Sequence, residues 1–267
     1  MFQKLLACLD GSALAEKILP WARALTASKG GKLTLLRIVP EAAALEDPYM
    51  RDCARRYGAE LRFVVSTDPA AAIGAELERE PSAIAALSTH GRTAWTEAIL
   101  GSVALRVIRE AKRPVVVFRP LAEDREAPTT IGTVAVALDG SKFSEKIIPH
   151  AAKAAHFLSA RLHLLQALPV DPALPLISQQ KSDVLEPSYL RRKAAAIKAH
   201  YGIEPAWEVL HGDPPEAICR YLSDLPDTLL AMTTHARGGF ERALIGSVAA
   251  TCVRRAGVPL LLHWPRH

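Results

Sequence analysis

Short, continuously apolar runs alternate along the chain with longer segments whose apolar positions recur every three or four residues. The first pattern reads as buried strands and the second as amphipathic helices. In the first stretch the strands are Lys4–Leu9, Leu33–Val39, Leu61–Val65, Ile84–Leu87 and Pro114–Phe118. Helices are expected over 12–28, where Leu14, Ile18, Trp21, Ala22 and Leu25 share a face, then over 42–57, from Asp68-Pro69 onward, and over 101–111. Ser12 suits the cap of the first helix, and Pro69 suits the first turn of the third. Pro20 lies inside the first helix and predicts a bend there, with a break as the alternative. Gly30-Gly31 ends that segment.

The order is then written again. Leu9-Asp10-Gly11-Ser12 recurs as Leu138-Asp139-Gly140-Ser141, and Glu16-Lys17-Ile18-Leu19-Pro20 as Glu145-Lys146-Ile147-Ile148-Pro149. Asp68-Pro69 matches Asp213-Pro214, and Gly101-Ser102 matches Gly246-Ser247. The offset is 129 residues at the first motif and 145 at the last, so the second copy carries 16 extra residues between Pro169 and Asp213. So long a period means two copies of one domain rather than a solenoid. In the second copy the same alternation gives 133–138, 141–158, 161–168, 188–200, 205–210, 214–222, 228–232, 246–256 and 259–263. Strands apolar throughout are covered on both faces, and strand–helix alternation makes them parallel. The expected fold is therefore α/β, two tandem doubly wound domains. Residues 1–120 form the first and 131–267 the second, with a charged, proline-bounded linker at 121–130.

Two loops carry the candidate chemistry. Ser88-Thr89-His90-Gly91-Arg92 follows the fourth strand, with nine residues between Gly91 and Gly101-Ser102-Val103; Thr233-Thr234-His235-Ala236-Arg237 and Gly246-Ser247-Val248 repeat the spacing. Backbone N–H groups, a hydroxyl and a helix N-terminus together suit an anion. In doubly wound sheets ligands sit beyond the carboxyl ends of the strands where strand order reverses. If strands 1 and 4 are neighbours there, Asp10 and the Ser88–Ser102 loop face one crevice. Asp10 can then accept from a base or ribose, and Ile38 and Val39 can flank a flat ring. That layout suits a nucleotide.

Bulk properties narrow the classes. Apolar residues make up 49% and charged residues 23% of the 267, as in ordinary globular chains. The N-terminal apolar stretch is short and interrupted by Asp10, and no run reaches membrane length, so a cytoplasmic, non-membrane protein is expected. Cys8, Cys53, Cys219 and Cys252 are scattered without C-x-x-C pairing, which speaks against zinc. The net charge of +5 is dispersed, so nucleic acid is not an expected partner. No Walker A loop, Gly-x-Gly-x-x-Gly after the first strand, or Gly-x-Ser-x-Gly elbow is present. No catalytic or metal-ligating residue is assigned. His90 and His235 read as nucleotide contacts or loop-fixing groups, and Cys8 as a buried, inert thiol.

These residues resemble the universal stress proteins in their tandem form. The family's phosphate signature runs Gly, two residues, Gly, nine residues, Gly, then Ser or Thr. It falls here on Ser88, Gly91, Gly101 and Ser102, and again on Thr233, Ala236, Gly246 and Ser247. The resemblance covers nearly the whole chain apart from the linker and 170–187. It implies a five-stranded sheet of order 3-2-1-4-5 in each domain, paired through the last strands Val115–Phe118 and Leu260–His263. It also implies ATP, with Mg2+, on Asp10, Ile38, Leu87, Gly91, Arg92, Gly101, Ser102 and Val103. A weaker second site would use Asp139, Ala167, Met232, Gly246, Ser247 and Val248, because Ala236 replaces a signature glycine. A homodimer of the whole chain stays open. The expected protein binds an adenine nucleotide and acts through regulated contacts, any hydrolysis being slow. The alternative is a nucleotide-free scaffold, or a small-ligand protein, with vestigial clefts.

Overall fold

The computed structural model describes residues 3–27, 30–42, 46–89, 100–119, 126–169, 187–234 and 245–265. The first copy runs β1 (Lys4–Leu9), α1 (Ala13–Glu16), α2 (Leu19–Thr26), β2 (Lys32–Val39), α3 (Pro48–Tyr57), β3 (Glu60–Val65), α4 (Pro69–Arg79), β4 (Ala83–Ser88), α5 (Ser102–Glu110) and β5 (Val115–Phe118). The second runs β6 (Thr133–Ala137), a 3-10 turn (Ser144–Ile147), α6 (Ile148–Leu158), β7 (Arg161–Leu168), α7 (Pro187–Tyr201), β8 (Ala206–His211), α8 (Pro214–Ser223), β9 (Thr228–Thr233), α9 (Ser247–Arg255) and β10 (Leu260–His263).

The strands form one sheet of ten, in the order β3-β2-β1-β4-β5-β10-β9-β6-β7-β8. Every pairing is parallel except β5 with β10, where Leu260, Leu261 and Leu262 oppose Val117, Val116 and Val115. Each half thus has the order 3-2-1-4-5, joined through its last strand. Leu5, Leu6, Ala7, Ile84, Ala85, Val116, Val134 and Leu261 are buried along the central strands, because helices cover both faces. The reversal of strand order falls between β1 and β4, and between β6 and β9.

The first helix differs from the expected bend over 12–28. It is broken at Lys17-Ile18, and Pro20 is the second residue of α2. A proline there loses no helical hydrogen bond, since its N–H would have had no partner. Pro149 has the same place in α6, after the 3-10 turn. Within 42–57 the α-helix runs Pro48–Tyr57, with Asp47 capping through the Met50 N–H at 3.1 Å, and residues 43–45 lie outside the described residues. Residues 170–186 of the insert, the first half of the linker (121–125) with Pro120 before it, and residues 90–99 and 235–244 of the two loops lie outside the described residues.

Candidate functional site: two clefts at the strand-order reversals

In the first half, the chain leaves β1 at Asp10 and turns through Gly11, whose φ of +79° favours glycine. Asp10 Oδ1 accepts from the Ser12 N–H at 2.9 Å and from the Ser12 hydroxyl at 2.6 Å, while Ser12 Oγ accepts from the Ala15 N–H at 3.1 Å. Asp10 therefore shapes the turn that starts α1. Asp139 and Ser141 repeat this, with 2.9 and 2.6 Å bonds, and Ser141 Oγ accepts from the Ser144 N–H at 3.1 Å.

On the other side of the reversal, β4 passes into Thr89, whose N–H donates to the Phe118 carbonyl at 2.9 Å. The Gly101 N–H then donates to the Thr89 carbonyl at 2.6 Å, which pinches the base of the loop shut. A Cβ on Gly101 would lie 3.2 Å from that carbonyl oxygen, a close approach that glycine permits. Gly246 and Thr234 make the same 2.6 Å pinch, and Thr234 is held by His263 at 3.0 Å. Gly101 and Gly246 are the N-caps of α5 and α9, and neither helix start carries a side-chain cap. The first N–H groups of both helices thus face the cleft without a side-chain acceptor, where a helix N-terminus favours an anion.

Between these walls lie two cavities, of about 280 Å³ in the first half and about 320 Å³ in the second. Asp10, Ile38, Leu87, Gly101, Ser102 and Val103 all line the first. Asp139, Ala167, Met232, Gly246, Ser247 and Val248 all line the second. Gly91 and Arg92 lie outside the described residues, as do His90, Trp95, His235, Ala236 and Phe240.

The universal stress protein family model matches residues 50–119 and 130–263. The chain belongs to the universal stress protein family. It is 24% identical to a universal stress protein of Methanocaldococcus jannaschii over 135 residues, covering 48% of this chain and 79% of that one. It is 29% identical to a Synechocystis universal stress protein over 178 residues, covering 66% of this chain and 55% of that relative's length. Among solved structures, a Pseudomonas aeruginosa universal stress protein matches with a TM-score of 0.64 at 23% identity, over 99% of this chain and 95% of that one. One from Archaeoglobus fulgidus matches with a TM-score of 0.61 at 19% identity, over 98% and 96%. The tandem stress-protein fold is thus shared end to end. Among the described residues no helix is long and apolar enough to cross a membrane.

Within this stress-protein frame, two polar residues that sequence reading missed separate the clefts. Arg37, near the end of β2, lines the first; its guanidinium lies over Gly11, so that a Cβ there would come 3.0 Å from Nη2. Its Nε is 4.0 Å from an Asp47 carboxylate oxygen, and the side chain is only 14% exposed. Gln166 takes the matching place on β7. It lines the second cleft, is 7% exposed, and its Oε1 is buried without a hydrogen-bond partner. Each residue interrupts an apolar strand (Leu35-Leu36-Arg37-Ile38 and Leu164-Leu165-Gln166-Ala167), and that interruption was the available signal. The first cleft carries a fixed positive charge where the second carries a neutral amide amid Met232, Leu138 and Ile218. Cys8 also borders the first cleft. Burial pushes its thiol up to about 12, and it donates to the Leu6 carbonyl at 3.6 Å, so it is protonated and unreactive at neutral pH.

Proposed function

We propose that this universal stress protein binds an adenine nucleotide, ATP with Mg2+, chiefly in the first cleft, and acts through ligand-dependent contacts. The observation that carries the reading is the facing of the Asp10–Ser12 turn and the uncapped start of α5 across a cavity of about 280 Å³. That volume is near the lower end of ligand pockets, roughly 300–1,000 Å³. It suits a nucleoside whose phosphates run out along the helix start. Leu87 and Ile38 would flank the base, Asp10 would take the ribose, and Gly101, Ser102 and Val103 would meet the phosphates, joined by Gly91 and Arg92. Among the described residues no group of three or more His, Cys, Asp or Glu could hold a metal ion, so Mg2+ would arrive with the phosphates. ATP would supply negative charge for the helix start; the chain's residues bind and orient it.

In the second cleft Asp139, Ala167, Met232, Gly246, Ser247 and Val248 would form a weaker site. Ala236 stands at the repeat position of Gly91, and Gln166 stands at that of Arg37. We read residues 1–120 and 131–267 as the two domains, 121–130 as their linker, and the β5–β10 pairing as an internal counterpart of a dimer. A cytoplasmic location goes with this reading. Isothermal titration with ATP–Mg2+ tests it: one dominant site, lost in Gly101→Trp and kept in Gly246→Trp, is the expected result. Two equal sites, or loss only in Gly246→Trp, would overturn the assignment. No heat and no thermal shift with any adenine nucleotide would favour a scaffold with vestigial clefts, a reading to which Ser88, Thr233 and Ala236 at signature glycine positions lend support.

A further inference from the structure

Helices α8 and α9 form the outer wall of the second cleft. Pro214 and Ile218 of α8, and Ser247, Val248 and Ala249 of α9, line it. Both helices start at the cleft and connect parallel strands, α8 from β8 to β9 and α9 from β9 to β10, so they run side by side in the same direction. Cys219 is the sixth residue of α8 and Cys252 the sixth of α9, which sets them at one height. Each thiol lies close enough to the other to shift its titration. An ion pair between Glu216 and Arg255, 3.0 Å long, ties the same two helices beside them.

The two thiols are unlike. Cys252 is fully buried, whereas Cys219 is partly exposed, and both are reduced. The neighbouring Cys252, helped by the Arg255 guanidinium, holds the Cys219 thiol below its usual range. The neighbouring Cys219 and burial push Cys252 well above it. Cys219, the partly exposed thiol, is therefore the one a small oxidant reaches first, with buried Cys252 behind it. The first domain has no such pair, since the matching positions are Gly74 in α4 and Val107 in α5.

We propose that Cys219 and Cys252 are an oxidation site at which hydrogen peroxide closes a disulfide between α8 and α9, pinning the wall of the second cleft. The Cys219 thiolate attacks one peroxide oxygen, the O–O bond breaks, and the departing hydroxide leaves as water with a proton from solvent. Cys219 is then a sulfenic acid. The Cys252 sulfur displaces hydroxide from it, the Cys252 proton leaves with that hydroxide as water, and the S–S bond forms. Two thiols and one peroxide give one disulfide and two waters. The inference is independent of what either cleft binds.

The test is peroxide treatment of the full chain under native conditions, then alkylation and peptide mapping. The expected product is 2 Da lighter and links Cys219 to Cys252, while Cys8 and Cys53 stay alkylatable. Thiol reductant restores the original mass. Cys219→Ser should abolish the link and leave Cys252 unoxidised. Cys252→Val, which copies the first domain at Val107, should leave Cys219 free to advance to the sulfinic acid, 32 Da heavier. Overoxidation of Cys219 in the unaltered chain with Cys252 still alkylatable would overturn the proposal, as would an intermolecular disulfide or full retention of both thiols. Hydrogen exchange across α8 and α9 reads the consequence, with slower exchange expected in the oxidised form; unchanged or faster exchange there would overturn the pinning.

Discussion

The ring of His150 packs against that of His263 with centroids 4.6 Å apart, at the two positions that Trp21 and Phe118 hold in the first domain, where the centroids are 5.5 Å apart. The repeat kept an aromatic contact between the helix after the first strand and the end of the last strand, and in one copy made it titratable. Both His Nδ1 atoms are buried without a hydrogen-bond partner. Burial pushes both rings down to about 4. His150 is further lowered by His263 and Lys153, and His263 by Lys146.

That pair makes stability depend on acid. Between pH 6.5 and 4 the unfolded chain binds protons at these histidines that the folded chain does not, so stability is full above about 6.5 and falls as pH drops toward 4. Each ring should contribute on the order of 1–2 kcal/mol of this loss, once the solvent still reaching it is allowed for. Urea midpoints at pH 7 and pH 5 read the slope. The double variant His150→Trp with His263→Phe, which restores the pairing of the first domain, should flatten it. An unchanged slope would remove these rings from the acid response.

Gly11→Ala should destabilise the chain by about 1–2 kcal/mol, because φ is +79° and the methyl would come 3.0 Å from Arg37 Nη2. The same substitution should lower nucleotide affinity if the Asp10 turn helps form the site. Thermal denaturation and titration of one preparation measure both.

Gly74→Ala should do the opposite. Gly74 lies inside α4 with nothing within 4 Å of where an alanine methyl would sit, so alanine should stabilise by about 0.5–1 kcal/mol. A rise in the urea midpoint without a change in slope is the expected reading.

Gln166→Leu should raise stability by about 1 kcal/mol, since it removes an acceptor buried without a partner. If that amide reads a ligand donor, the substitution should also weaken whatever binds the second cleft, about tenfold, while leaving the first cleft unchanged. Titration of the variant separates the two effects.

Tyr49 donates its hydroxyl to Glu16, which also receives Arg56 at 2.6 Å; in the second domain Tyr189 and Lys193 reach Glu145 at 3.3 and 2.7 Å. Tyr189→Phe should therefore cost about 0.5–1.5 kcal/mol by loosening α7 from the 3-10 turn. A denaturation midpoint unchanged within error would show the hydroxyl bond to be idle.

Local chemistry was legible wherever one short stretch decides it. Continuous apolar runs gave the strands because covered strands have no polar face. Asp10-Gly11-Ser12 and Gly101-Ser102 marked both ends of the first cleft because a turn and a helix start are made by adjacent residues. Pro20 was harder: the helical spacing of Leu14, Ile18 and Trp21 continues through it, and only the broken backbone shows that the proline starts α2 rather than bending one long helix.

The sequence by itself determined that one α/β domain occurs twice, and which family it belongs to, since both follow from order and spacing along the chain. Tertiary structure decided everything that depends on residues far apart in sequence meeting. It set the antiparallel sense and register of the β5–β10 pairing that joins the two halves into one ten-stranded sheet. It set Arg37 over Gly11, buried Gln166 Oε1 in the second cleft, and brought His150 to His263 and Cys219 to Cys252. Hydrophobic periodicity specifies which face of an element is buried, but not which neighbour it is buried against. The differences between the two copies lie in those neighbours.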